Sequence, residues 1–362
     1  MSSVDNSPSK NTNEKEVKAS PSKSIVDRLP HIDFAPLDIP LHRRLQTLST
    51  MFIPFWMVIS FILIVAMVFV PVLWPFAIAY FVFIHFDKAP ERGGRRQNWF
   101  RNLKVFKYQA DFFQTYIHRE TKLDPSKNYI FGYHPHGFIG YGAQICFGTE
   151  AVNVSKLFTG LTIHPLTLSV NFNIPFHREL LMMLGVCSVS KSSINYILNS
   201  GPGKSCLIVV GGAQEALHAA PNKAELVLEN RMGFVKIAIQ NGANLVPVYG
   251  FGENSLYNQI EVDEGSTFAT IRRSIKKVFG FTLPLVIGRG LIQYTAGLVP
   301  YRVPLHIVVG KPIEVTKNAN PTNEEIKEIH AKYLEALKEL YDSYKDKYHP
   351  NGTAPELKFV DN

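Results

Sequence analysis

Cysteine is scarce: Cys146, Cys187 and Cys206 are the only three in 362 residues, and no CxxC or Cys/His metal-ligand spacing joins them. That leaves neither a disulfide framework nor a structural zinc signature, so a reducing, cytosol-facing fold is expected. No G-x-S-x-G occurs, which argues against a serine lipase on the α/β-hydrolase plan. A P-loop is missing too. Gly203-Lys204-Ser205 ends like one, but the required first glycine falls at Leu198 and the segment precedes its strand. The first two dozen residues lack an apolar h-region, so no cleavable signal peptide is expected and residues 1–29 read as a disordered polar tail. No internal repeat is visible.

Also absent is any Asp, Glu, Lys or Arg between Met51 and Phe86. An uncharged run of that length exceeds a soluble core helix and one ordinary membrane span. Pro71 and Pro75 interrupt it, and proline inside a helix removes a donor and clashes with the preceding turn. The expectation is a hairpin or re-entrant pair over residues 51–86: Met51–Val70 has the ~20 residues of a span, and Phe76–Phe86 is short for one. The connection carries no cation, whereas Arg43 and Arg44 precede the pair and Lys88, Arg92, Arg95, Arg96 and Arg101 follow it. By the positive-inside rule both flanks are cytosolic. Residues 30–50, with Leu41, Leu45 and Leu48 interleaved with His42, Arg43 and Arg44, form an amphipathic lead-in suited to a membrane interface.

What is present is apolar mass and positive charge. Hydrophobic residues make up 46% of the chain, enough for a real core, and the net charge of +8 favours an anionic partner. Distribution argues against nucleic acid: many cations flank the apolar run and no recognition motif appears. Membrane lipid or a phosphate-bearing substrate fits better.

Residues 87–362 read as one cytosolic domain. Asn128–Tyr133, Ser205–Val210, Asn244–Tyr249 and Leu305–Val309 are β-rich runs of strand length, and Arg231–Gln240 reads as a helix closed by Gly242. Strands separated by helices give an α/β class. Thr322 with Glu325 forms a capping-box pattern ahead of Ile326, Ile329, Tyr333, Leu337, Leu340 and Tyr344, a helix that ends before Pro350 and is expected to pack on the sheet, a partner-binding or membrane-surface helix being the alternative.

Chemistry concentrates in three segments. Tyr129–Tyr141 reads YIFGYHPHGFIGY: a strand-like run delivers His134 and His136 at i and i+2, which in extended backbone point to one side. A histidine titrating near neutrality suits proton removal from an alcohol. Two satisfied histidines in a turn is the plain alternative. A metal site is a third, but His164, His177 and His218 have no diagnostic spacing, so no metal is expected. In Leu207–Leu217, LIVVGGAQEAL, a strand runs into Gly211 and Gly212 and then presents Glu215. Such a turn can aim N–H groups at an anion while the carboxylate orients an imidazole, or it is plain structure at a helix start. In Asn230–Glu253, Arg231 and Lys236 are cations suited to phosphate or to a solvated helix face, and Arg289 between Gly288 and Gly290 has the same two readings.

Together these blocks resemble the type 2 diacylglycerol O-acyltransferases and their monoacylglycerol and wax-alcohol acyltransferase relatives. The resemblance rests on FGYHPHG at Phe131–Gly137, VVGGAQEAL at Val209–Leu217, NRMGFVKIAIQNGANLVPVYGFGEN at Asn230–Asn254, GRG at Gly288–Gly290 and GLVPY at Gly297–Tyr301. It covers nearly everything from about Pro30 onward. It implies a glycerolipid-acyltransferase-like mixed sheet flanked by helices behind the hairpin, in an enzyme of the endoplasmic reticulum and lipid droplet. The implied co-substrates are acyl-coenzyme A and diacylglycerol, with no cofactor, and a homo-oligomer is allowed. The resemblance makes His134 the general base, with His136 beside it. Gly137, Gly211 and Gly212 would offer oxyanion donors, and Arg231 and Arg289 would meet coenzyme A phosphates. In the wider superfamily an Asp usually follows the paired histidine, and here Ile139 and Tyr141 stand instead, leaving Glu215 as the candidate carboxylate. A monoacylglycerol or long-chain alcohol acceptor, or a silent lipid-droplet scaffold, are the alternatives.

Overall fold

The uncharged run folds as two helices, Phe52–Phe69 and Trp74–Phe86, joined by a tight turn at Pro71–Leu73. Pro71 lacks the N–H that would continue the first helix. Most of their apolar side chains are exposed, and Phe52–Phe69 and Pro71–Glu91 are long and apolar enough to cross a membrane. The pair is not loose. Trp56 Nε1–H donates to the Phe176 carbonyl at 3.3 Å, and the Tyr80 hydroxyl donates to Glu179 at 2.5 Å while accepting the Phe176 N–H at 2.9 Å. At the exit, Asp87 pairs with buried Arg178 at 2.6 Å and with Arg95 at 2.8 Å.

This computed structural model describes residues 33–216, 219–221, 223–259, 270, 286–349 and 354–361. The expected polar tail and His218 lie outside the described residues. The strands are β1 (Tyr116–Arg119), β2 (Tyr129–His134), β3 (Thr162–Thr167), β4 (Cys187–Ser188), β5 (Lys204–Val209), β6 (Glu225–Val227), β7 (Asn244–Phe251), β8 (Asn258–Gln259), β9 (Val286–Ile287), β10 (His306–Val309) and β11 (Lys358–Val360). Seven form one sheet in the order β1-β10-β7-β2-β5-β3-β4. All neighbours are parallel except β10 against β7, so the sheet is mixed, as expected. Two small sheets pair β6 with β11 and β8 with β9.

The four strands legible in the sequence are β2, β5, β7 and β10, which lie side by side. β2 is central and buried along its whole length, because helices cover both faces of a parallel sheet. Tyr129, Phe131 and Tyr133 join one core with Phe147 and Phe158, while Ile130 joins the other with Tyr333 and Leu337. The second core rests on two helices. Gly233–Asn241 ends at Gly242, whose φ of +66° gives the left-handed cap its position predicts. Asn323–Tyr348 starts at Thr322, whose hydroxyl accepts the Glu325 N–H at 3.2 Å. The capping box is one-sided, because the Glu325 carboxylate accepts from Asn318 at 2.8 Å. Ile326, Tyr333, Leu337, Leu340 and Tyr341 of this helix are buried.

Candidate active site

In an open α/β sheet ligands collect beyond the carboxyl ends of the parallel strands. Here β2, β5 and β7 run parallel and end at His134, Val209 and Phe251, and the segments just past them carry His136, Glu215 and Glu253. The expectation that His134 and His136 share one extended stretch is not met. β2 stops at His134, since Pro135 has no N–H for a ladder bond, and the His134–Pro135 peptide is cis. His136 therefore belongs to the loop before the helix Tyr141–Gly148, not to the strand.

His134 is fully buried. Its Nε2 lies 2.9 Å from the Tyr333 hydroxyl, which donates to the Gly132 carbonyl at 3.1 Å. A phenol has one proton. With that proton on the carbonyl, the imidazole must donate from Nε2, which leaves the lone pair on Nδ1. Nδ1 is buried and makes no hydrogen bond among the described residues, the kind of orphan that calls for a functional explanation. Burial pushes the His134 pKa down to about 3, well below the near-neutral value expected of it, so the ring is neutral at physiological pH. Gly132 permits the contact: a Cβ there would lie 1.9 Å from the Tyr333 hydroxyl.

His136 is partly buried, and its Nδ1 lies 3.0 Å from the Gly137 carbonyl. A carbonyl only accepts, so this ring carries its proton on Nδ1 and its lone pair on Nε2. Burial lowers its pKa, opposed by the Gly137 carbonyl.

The carboxylates act on the main chain. Glu215 accepts the His136 N–H at 2.5 Å and the Val227 N–H at 3.0 Å. The imidazole contact expected of Glu215 is thus replaced by a clamp on the histidine loop's backbone. Burial pushes Glu215 up to about 7, opposed by those two N–H groups and by the Arg231 charge. Glu253, from the other side of β2, accepts the Tyr141 N–H at 2.7 Å, the Gly142 N–H at 2.9 Å and the Tyr133 hydroxyl at 2.9 Å. Burial pushes it to about 7 as well, opposed by those same donors. Gly137 sits at φ +57°, and a Cβ there would come within 2.6 Å of Glu253 Cγ, so the position admits glycine on two counts.

Gly211 and Gly212 open the turn that carries Glu215. Arg231 donates to Gln214 at 2.5 Å beside that turn. Arg289 is not beside that turn: its guanidinium donates to Thr47 Oγ1 at 2.9 Å, against the helix Leu41–Thr50. The two cations proposed for phosphates therefore serve different parts of the surface. Lys236 is exposed on its helix, and His164 is held by the Gly185 carbonyl at 3.1 Å. Sequence reasoning missed the roles of Tyr333 and Glu253. Tyr333 counted only as part of an apolar stripe, although a buried phenol needs a partner.

The diacylglycerol acyltransferase family profile matches residues 66–358. The chain belongs to that family. It is therefore an acyltransferase by descent, and its relatives agree over nearly full length. Diacylglycerol O-acyltransferase 2A of Umbelopsis ramanniana is 46% identical over 94% of this chain and 97% of its own. The 2-acylglycerol O-acyltransferase 1 of Bos taurus is 43% identical over 88% of this chain and 96% of its own. A solved 1-acyl-sn-glycerophosphate acyltransferase from Thermotoga maritima aligns over 79% of this chain and 95% of its own at 10% identity and a TM-score of 0.35, too remote to carry an argument.

Proposed function

We propose that the protein transfers a fatty acyl group from acyl-coenzyme A to the free hydroxyl of diacylglycerol, forming triacylglycerol, with His134 as general base. The observation that carries this reading is the orphaned Nδ1 of His134, at the end of the central strand with Nε2 tied to Tyr333. Nδ1 takes the hydroxyl proton as that oxygen attacks the thioester carbonyl. Main-chain N–H groups around Gly137 or at Gly211 to Ala213 receive the tetrahedral oxyanion. Collapse of the intermediate expels the coenzyme A thiolate, and the imidazolium returns the proton to it. Both substrates are bound together, so no acyl-enzyme is needed. A base enclosed in this way also keeps water from competing with the alcohol.

The apolar helix pair supports a membrane setting, with the hairpin in the endoplasmic-reticulum or lipid-droplet surface and both flanks cytosolic. Diacylglycerol then arrives through lipid and coenzyme A through water. Acylation of monoacylglycerol is the second reading, favoured by the 43% identity to a 2-acylglycerol O-acyltransferase. Membranes containing the protein, given labelled oleoyl-coenzyme A with diacylglycerol, monoacylglycerol or fatty alcohol separately, rank the acceptors. Triacylglycerol as the main product supports the proposal. No transfer to any acceptor by well-folded protein brings the scaffold alternative forward.

A further inference from the structure

Arg289 and Arg302 face the same aromatic ring. Their guanidinium carbons lie 5.6 and 4.2 Å from the centroid of Phe112. Both reach the same helix, Leu41–Thr50: Arg289 donates to Thr47 at 2.9 Å and Arg302 to its neighbour Gln46 at 2.7 Å. Arg43 sits on that helix one turn earlier, on the same face by i,i+3 and i,i+4 spacing. Among the described residues none of the three forms an ion pair, and their hydrogen-bond partners are neutral oxygens. Among the described residues, the charges acting on Arg302 are those of Arg43 and Arg289, with the Tyr294 phenol and no carboxylate. Arg289 Nε is buried without a hydrogen-bond partner among the described residues. Half-buried like charges repel and cost desolvation energy unless an anion joins them.

Their location is informative. Arg302 precedes β10, whose His306 pairs with Phe251 at the carboxyl end of β7, so the cluster lies at the end of the sheet that carries His134 and Glu253. Tyr141, at the end of the histidine loop, packs on Phe113 at 5.0 Å and donates its hydroxyl to the Thr50 carbonyl at 3.3 Å. The segment bearing Arg289 exposes Leu291, Ile292 and Leu298, and the helix bearing Arg43 exposes Leu41 and Leu48. That places the cations among apolar side chains, next to the start of the hairpin.

We propose that Arg43, Arg289 and Arg302 form a phosphate-binding cradle at the mouth of the active site. Guanidinium forks match phosphate oxygens in pairs, and two of them gather at the Phe112 ring. The ligand chemistry is a phosphate ester, supplied by coenzyme A or by an anionic lipid headgroup. The coenzyme A arm rests on the acyl-transfer reading; the lipid arm does not.

The test uses the full chain in detergent micelles and in vesicles, with binding as the readout so that it stands apart from catalysis. Coenzyme A binding is measured by titration calorimetry, and vesicle binding by flotation with phosphatidylcholine alone or with phosphatidic acid added. Arg302→Gln and Arg289→Gln are expected to weaken one of the two ligands about tenfold or more. Loss of coenzyme A binding assigns the cradle to the substrate, and loss of phosphatidic-acid dependence assigns it to the bilayer. Arg43→Gln guards against misfolding, because Arg43 is exposed and its side chain makes no hydrogen bond among the described residues. It is expected to weaken the same ligand by a smaller factor, more so at low salt. Wild-type binding of both ligands by all three folded variants overturns the cradle. An inactive wild type that still binds coenzyme A sinks the transfer reading and leaves the cradle standing.

Discussion

Glu215 and Glu253 flank the histidine loop from opposite sides of β2, both buried and both accepting main-chain N–H groups, yet they are not equivalent. Glu215, beyond β5, holds the loop's entry through the His136 N–H and sits in the field of Arg231. Glu253, beyond β7, holds its exit through Tyr141 and Gly142 and also takes the Tyr133 hydroxyl. Two carboxylates from the neighbouring strands thus grip the two ends of residues 136–142. The difference teaches that Glu253, with two donors on the helix start and a third from Tyr133 of β2, is the stronger structural anchor. Glu215 is the one whose loss perturbs the histidines first.

Glu253→Ala sharpens the comparison most. It strips three buried donors of their acceptor at about 1–3 kcal/mol each, so a loss of roughly 3–9 kcal/mol is expected. Thermal unfolding of the solubilised protein measures it, and a melting temperature equal to wild type breaks the anchor assignment. Glu215→Ala orphans two donors, for roughly 2–6 kcal/mol, and should cut kcat by more than its stability loss explains.

Tyr333→Phe removes one hydroxyl while keeping the ring that packs against Phe234 at 5.0 Å. The expected result is about a tenfold fall in kcat with KM for acyl-coenzyme A unchanged. The activity–pH profile should also shift, because the His134 ring loses the partner that fixes its proton. Unchanged kcat and profile would remove Tyr333 from the mechanism.

The smallest effect is in the pH dependence of stability. Both carboxyls rise from 4.5 to about 7 on folding, so the neutral form is favoured in the folded state. Their contribution is full below about pH 4.5 and is lost as pH rises through about 7. Glu253→Gln and Glu215→Gln should each flatten that decline in melting temperature. An undiminished slope in both variants contradicts the buried-carboxyl account.

Much of the frame was legible because it is written in local patterns. The uncharged run, the prolines at 71 and 75 and the β-rich runs gave the hairpin and the four adjacent strands β2, β5, β7 and β10. β4, at two residues, and β1, reading YIHR, carry too little apolar pattern to stand out. His134, His136 and Glu215 were legible as neighbours, since glycine turns beside them signal close backbone approach. What each touches was not. Tyr333 is 199 residues from His134 in sequence, and Glu253 is 112 from Tyr141. Only the parallel sheet and the helix Asn323–Tyr348 bring those pairs together, and no spacing rule spans such distances. The orientation of Glu215 was missed for the same reason: a carboxylate past a Gly-Gly turn can face an imidazole or a main-chain amide equally well.

The central claim is that the strand-end histidine, not its loop neighbour, removes the alcohol proton. Its most direct test is the rate of triacylglycerol formation by membranes holding equal amounts of wild type, His134→Ala or His136→Ala. The account predicts a loss of about 10²–10⁴-fold for His134→Ala and a much smaller loss for His136→Ala. Wild-type rates in His134→Ala, with activity abolished in His136→Ala, would contradict it and move the base to Nε2 of His136.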